Sequence, residues 1–251
     1  MHGTPPSNPL PQGEGEKKNN PSHLAGGGWG RVKVARQDAI LVLLSLAAGG
    51  IDALSFFALG AFTSAMSGNT ILLGLALAQG KIKAASSSLF AFAGYIVGVT
   101  AATPLGVSAP HAEAARVLRR ALVSEAVLLA AFAALWGAEV EVPVPGTLQR
   151  GLLVLAGIAM GLQAATARKL NAPGINTVVF TSTLTAIVGA LCDAAWYQEA
   201  RRIRAETWRQ IAAFVFYLAG AAAIGLLALQ DVTLAAMPPF ACVLVAVLLA
   251  A

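Results

Sequence analysis

Charged side chains are scarce here: 12% of the 251 residues are Asp, Glu, Lys or Arg, against about a quarter in a soluble globular domain. With 57% hydrophobic residues and long uncharged runs, the chain lacks the polar surface a soluble fold needs, which places it in the membrane class. Histidine is nearly missing as well. His2, His23 and His111 fall in an N-terminal tail and a loop, so they cannot supply an intramembrane nucleophile–base pair. Without metal-ligand spacing or a phosphate-binding glycine motif, no enzymatic activity and no cofactor are expected. The two cysteines, Cys192 and Cys242, lie in or beside apolar segments. They read as small membrane-embedded residues, with no sign of a disulfide or a redox role.

Apolar sequence, by contrast, comes in blocks of membrane-spanning length. Runs at 39–60, 88–107, 118–137, 151–167, 210–229 and 232–250 approach the roughly 20 residues a spanning helix needs. Two shorter stretches differ. In 63–80, Met66-Ser67-Gly68-Asn69-Thr70 precedes an apolar run, Ile71 to Ala78, that is too short to span. In 174–192, Pro173-Gly174-Ile175-Asn176-Thr177 leads into a run studded with Thr181, Ser182, Thr183 and Thr185. The expected fold is an all-α membrane protein with six spanning helices and two short re-entrant or broken helices, or else eight spans. Residues 1–36, rich in Pro, Gly, Asn and charge, have too little apolar surface to fold and are expected to form a disordered cytoplasmic tail. Residues 37–251 then make the transmembrane helical domain. The first apolar run is too long for the core of a secretory signal.

The net charge of +5 is not a nucleic-acid signature, because the basic residues cluster beside apolar runs, where the positive-inside rule puts them. The expected partner is the lipid bilayer, with no nucleic acid. If the two short stretches are re-entrant, only Lys81, Lys83 and Arg150 of the 17 basic residues lie outside, beside Glu139 and Glu141. Eight spans would instead put Arg116, Arg119, Arg120, Arg168 and Lys169 outside. The re-entrant layout obeys the rule better.

The chain also repeats itself. Gly50-Ile51-Asp52-Ala53 resembles Gly161-Leu162-Gln163-Ala164, Ser67-Gly68-Asn69-Thr70 has a counterpart in Ser182-Thr183-Leu184-Thr185, and Ala93-Gly94 matches Ala219-Gly220. Each half, about 37–140 and 148–251, reads as helix, polar break, short apolar run, helix, helix. With re-entrant segments the halves have opposite orientation, an architecture that recurs in secondary transporters. The spacings Gly94-Tyr95-Ile96-Val97-Gly98 and Gly157-Ile158-Ala159-Met160-Gly161 permit close helix contact.

The stretch Gly50-Ile51-Asp52-Ala53-Leu54-Ser55-Phe56, followed by Phe62-Thr63-Ser64-Ala65-Met66-Ser67-Gly68-Asn69-Thr70, resembles the YoaK-like family of bacterial membrane proteins. That hallmark is G-x-x-D-A-x-x-F, then M-[ST]-G-N-T and an apolar run. The likeness extends over about residues 38 to 250, with Ser182 standing where the family usually shows Gly. It implies a multi-pass protein of the bacterial inner membrane and carries no chemistry, since the family's function is unknown.

Among the acidic residues, Asp52 and Glu125 lie well inside apolar runs. A carboxylate at mid-helix costs roughly 2.5–3.5 kcal/mol to insert, so it should face a polar cavity or a partner. Asp52 either binds a cation, proton or polar substrate group, or accepts hydrogen bonds from the free N–H groups at the start of the following helix. In that second case Asn69 or Ser67 is the N-cap. Glu125 is expected to snorkel or to pair with a neighbouring Arg. The candidate substrate-binding set is Asp52, Ser67, Asn69, Thr70, Gln163, Thr181 and Thr185, with no metal site. Two functions fit: a permease for a small molecule or ion with a polar site at the midplane, or a scaffold that organises lipid without transport.

Overall fold

Every described element is helical. A computed structural model describes residues 29–103, 114–139, 144, 146–169, 180–196 and 205–251. The helices are α1 (Trp29–Leu59), α2 (Met66–Ala78), α3 (Ile82–Ala102), α4 (Ala114–Glu139), α5 (Gly146–Lys169), α6 (Phe180–Trp196), α7 (Ala205–Gln230) and α8 (Met237–Leu249), with a 3₁₀ turn at Leu234–Ala236 before α8. The chain divides into two units, Met1–Ala35 and Arg36–Ala251. Of the first, only residues 29–35 at the start of α1 are described. The helix therefore begins before the boundary at 36 expected from composition: after Gly28 no proline interrupts the chain, and Trp29 to Gln37 joins the apolar run. The rest of the expected tail, Pro173 to Thr177, His111 and Glu141 lie outside the described residues.

The helix lengths follow from the solvent. α1, α3, α4, α5 and α7 each hold a stretch long and apolar enough to cross a membrane, whereas α2, α6 and the 234–249 segment are shorter apolar helices. The bundle buries large and small residues together, yet leaves much of its apolar surface outward. Large apolar side chains such as Leu77, Ile82, Ile96, Val127, Leu218, Leu226 and Leu248 point outward, while Ala47, Ala48, Ala91, Ala156, Ala159 and Ser88 are buried. Hydrocarbon tails solvate leucine as well as a protein core does, so contact is driven by close backbone approach between small residues.

Two glycine seams show this approach. A methyl group added at Gly94 or Gly98 of α3 would sit 2.5 Å from the Val154 carbonyl oxygen or 2.2 Å from that of Ile158 on α5. One added at Gly161 would sit 2.2 Å from the Tyr95 carbonyl oxygen. On the other side of the bundle, Gly49 of α1 meets the Tyr217 carbonyl at 2.0 Å by the same construction, and Gly220 of α7 meets that of Leu46 at 2.2 Å. The large side chains gather elsewhere. Phe132 and Trp136 of α4 stack at 5.7 Å, and the Trp136 indole N–H donates to the Val232 carbonyl at 2.7 Å.

Cross-helix contacts fix the directions of α3, α5, α7 and α8 relative to α1. Gln163 Nε2 donates to the Leu44 carbonyl and Gln149 Nε2 to that of Leu59, so α5 runs antiparallel to α1. Along the α3–α5 seam, residue numbers rise together from Gly94–Val154 to Gly98–Ile158, so α3 is parallel to α5. Asp38 pairs with Arg209 at 2.7 Å and Gly50 faces Ile224, making α7 parallel to α1. The Arg36 guanidinium donates to the Leu249 carbonyl and Gly50 also faces Pro239, making α8 antiparallel to α1. Because α1 and α3 run in opposite senses, α2 between them enters and leaves on one side. The same holds for α6, between the opposed α5 and α7, on the other side. Five of the eight described helices, α1, α3, α4, α5 and α7, are long and apolar enough to cross a membrane. α2 and α8, at 13 residues each, are about 20 Å long, short of the roughly 30 Å of an average hydrocarbon core.

Candidate functional site

The Asp52 carboxylate is 2% exposed and lies at the end of a short return loop. Gly60 ends α1 with φ +75°, a left-handed conformation that glycine adopts freely, and its N–H reaches back to the Phe56 carbonyl. This turns residues 61–65 back alongside the last turns of α1. There Asp52 accepts six hydrogen bonds, from Thr63 N (2.6 Å), Thr63 Oγ1 (3.0 Å), Ser64 N (2.7 Å), Ser64 Oγ (2.5 Å), Ala65 N (3.1 Å) and Tyr217 Oη on α7 (2.6 Å). Three of the donors are backbone N–H groups immediately before α2. The residue at the N-cap position is Ala65, which has no side chain able to cap. The carboxylate of a neighbouring helix supplies the acceptors that an N-cap side chain normally brings, and its negative charge complements the positive end of the α2 dipole.

Asn69 closes the same loop. Its Oδ1 accepts from Phe62 N at 2.9 Å and its Nδ2 donates to the Phe62 carbonyl at 2.6 Å, so one amide side chain satisfies both backbone groups of Phe62. The Phe62 ring stacks on Phe56 at 4.6 Å with 4° between the planes. A methyl group at Gly68 would lie 3.0 Å from that ring, so glycine leaves the space it occupies. The residues that carried the family resemblance thus have separate tasks: Asp52 holds the loop, Asn69 clasps it, Phe56 roofs it and Gly68 makes room.

The other candidates do not join this site. Ser67 and Thr70 are exposed on the opposite face of α2, and Thr70 Oγ1 donates to the Met66 carbonyl one turn back. Neither Ser67 nor Asn69 is the N-cap, because α2 begins one residue before Ser67. Gln163 is buried but bonds the Leu44 carbonyl, two turns along α1 from Asp52. Thr185 is exposed on α6. Thr181 lies in the first turn of α6, and its side chain is outside the described residues. Sequence reasoning missed Thr63, Ser64 and Tyr217. The first two were visible as hydroxyls just before a helix start, whereas nothing in the sequence links Tyr217 to a residue 165 positions away.

Glu125 departs from expectation more sharply. It is 0% exposed and, among the described residues, neither carboxyl oxygen has a hydrogen-bond partner. It does not snorkel, and the arginines of its own helix are no partners: Arg116, Arg119 and Arg120 lie exposed on other faces of α4 while Glu125 shares the buried face with Leu122 and Leu129. Among the described residues, no three side chains of His, Cys, Asp or Glu come together to hold a metal ion.

No solved structure matches this chain. It is similar to the UPF0700 transmembrane protein YoaK of Bacillus subtilis (strain 168), with 32% identity over 194 residues, covering 76% of this chain and 84% of that protein. Residues 40–250 match the family described as "Protein of unknown function (DUF1275)", a span that takes in the Asp52 loop, both glycine seams and all of α2 to α8. This multi-pass membrane protein belongs to the DUF1275 family.

Proposed function

We propose that the protein is a permease for a small polar molecule or ion, built from two inverted halves. The observation that carries this reading is the pairing of opposite directions. α1 and α5, and α3 and α7, occupy equivalent positions in the two halves, and each pair runs in opposite senses. Each half also holds one short helix that stops within the membrane, α2 reached from one face and α6 from the other. The glycine seams support the same symmetry: α1 against α7 corresponds to α5 against α3, with Gly50 matching Gly161 and Gly220 matching Gly94. Inverted repeats with discontinuous helices near the midplane are the frame on which alternating access is commonly built.

The face where α1 and α7 begin carries Arg36, Arg116, Arg119, Arg120 and Arg209, and the other carries Lys81, Lys83 and Arg150, so the first is the cytoplasmic face. Within this reading Asp52 is a latch that fixes the start of α2, since its oxygens are taken up by donors of the protein itself. The lipid bilayer is the partner; nucleic acid, cofactor and catalysis have no part. The purified protein in proteoliposomes, tested by current jumps against a panel of small polar solutes and cations, should give a solute-dependent signal above empty vesicles. A folded protein silent across solutes chosen from the metabolites that change in a deletion strain would instead favour the lipid-organising scaffold.

A further inference from the structure

Glu125 stands apart from the Asp52 loop. It lies about ten residues into the apolar stretch of α4 that starts at Ala115, roughly 15 Å deep and near the middle of the hydrocarbon. Among the described residues both of its oxygens are buried without a partner, and so is Gln163 Oε1 on α5. The two residues belong to the same end of the bundle: Ala121, one turn before Glu125, and Leu162, next to Gln163, share one apolar cluster with Ala102. Gln163 Nε2 is already engaged by Leu44, which leaves its oxygen as an acceptor.

Among the described residues, the charged groups on surrounding elements have other partners or lie on exposed faces. On α1, Asp38 pairs with Arg209 of α7, Arg36 bonds the Leu249 carbonyl of α8, and Asp52 is saturated by the return loop. On α5, Arg150 lies over the Phe90 ring. Among the described residues α8 contributes only Cys242 as a titratable group, and Asp231 before the 3₁₀ turn is exposed and bonded to Thr233. On α4 itself the three arginines are exposed. A bare carboxylate in such surroundings is costly, and the smallest cation that neutralises it is a proton.

We propose that Glu125 is a proton-binding site within the membrane, at which one proton is taken up and released. Its use as the coupling ion rests on the permease reading; the site itself does not. A permanently neutral, purely structural acid is the competing outcome. The two are separated by dicyclohexylcarbodiimide, an apolar reagent that adds to a protonated carboxyl. The acid oxygen bonds to the carbodiimide carbon, the proton moves to its nitrogen, and nothing leaves. Full-length protein in vesicles should show the adduct at Glu125 by peptide mass spectrometry, with a rate that falls as the pH is raised. Glu125→Gln should abolish it without changing labelling at other carboxyls. No adduct at Glu125, or a rate indifferent to pH, overturns the proposal. Protection by Na⁺ at constant pH also overturns it, in favour of a sodium site. pH-dependent labelling in a protein that moves no solute would remove the permease and leave the proton site standing. Solute flux with pH-indifferent labelling would do the reverse.

Discussion

Replacing Asp52 by Asn tests whether the carboxylate acts as a latch. In the favoured orientation the amide oxygen keeps Thr63 N, Thr63 Oγ1 and Ser64 N, and the amide nitrogen takes the place of Oδ2. The Ser64 and Tyr217 hydroxyls can rotate to accept from it, but the Ala65 N–H cannot. One buried donor is orphaned, at about 1–3 kcal/mol, and the retained bonds lose their charge assistance, about 1 kcal/mol each. Part of this is offset because the neutral amide is less costly to bury. The net loss is about 2–4 kcal/mol, or roughly 5–15 °C in melting temperature for a domain of this size. Tyr217→Phe removes one donor and should cost about 1–2 kcal/mol beside the carboxylate, but clearly less beside the amide. The assay is a thermal melt of the four proteins of this cycle in detergent, read by intrinsic tryptophan fluorescence and by monodispersity after heating. If Asp52→Asn melts within about 2 °C of the unaltered protein, or Tyr217→Phe costs the same in both backgrounds, the latch is refuted.

Gly98→Ala should lose most of its folded, membrane-inserted protein, because the added methyl meets backbone carbonyl of α5 at 2.2 Å, whereas Gly151→Ala, with nothing within 4 Å, should be neutral or gain up to about 1 kcal/mol; accumulation and melting of the two variants check this. Reporter fusions at 112 and 170 should be cytoplasmic and those at 82 and 140 external, and finding 82 inside with 112 outside would contradict the helix directions. Deletion of residues 1–28 should leave membrane insertion intact, measured as the fraction of protein resistant to carbonate extraction.

Composition and run length were enough to read the helices, because hydrocarbon imposes a length on anything that crosses it. The spans expected at 118–137 and 151–167 emerge as Ala114–Glu139 and Gly146–Lys169, longer at both ends since polar residues continue a helix beyond the apolar stretch. Run length left six or eight crossings open, and the basic residues favoured the layout in which the two short segments do not cross. The site was half legible. Asp52 and Asn69 stood out as polar residues in an apolar context, and hydrogen bonding to the α2 start was one of two readings for Asp52. Ser67 and Thr70 share the motif with Asn69 but not its helical face, and motif membership carries no information about facing. Glu125 was misread from its arginine neighbours in sequence, although its spacing to Leu122 and Leu129 already placed it on the apolar stripe of α4.

The brevity of α8 bears on the membrane itself. From Leu234 to Leu249, the 3₁₀ turn and helix together reach only about 25 Å, roughly 5 Å less than an average hydrocarbon core, yet Leu244, Val245 and Leu248 face outward along it. A lipid-facing segment this short favours local thinning of the bilayer on that flank, at a cost of a fraction of a kcal/mol per Å of mismatch. Lipids with shorter acyl chains relieve the strain, so the protein should partition toward thinner patches of membrane and draw such lipids around α8.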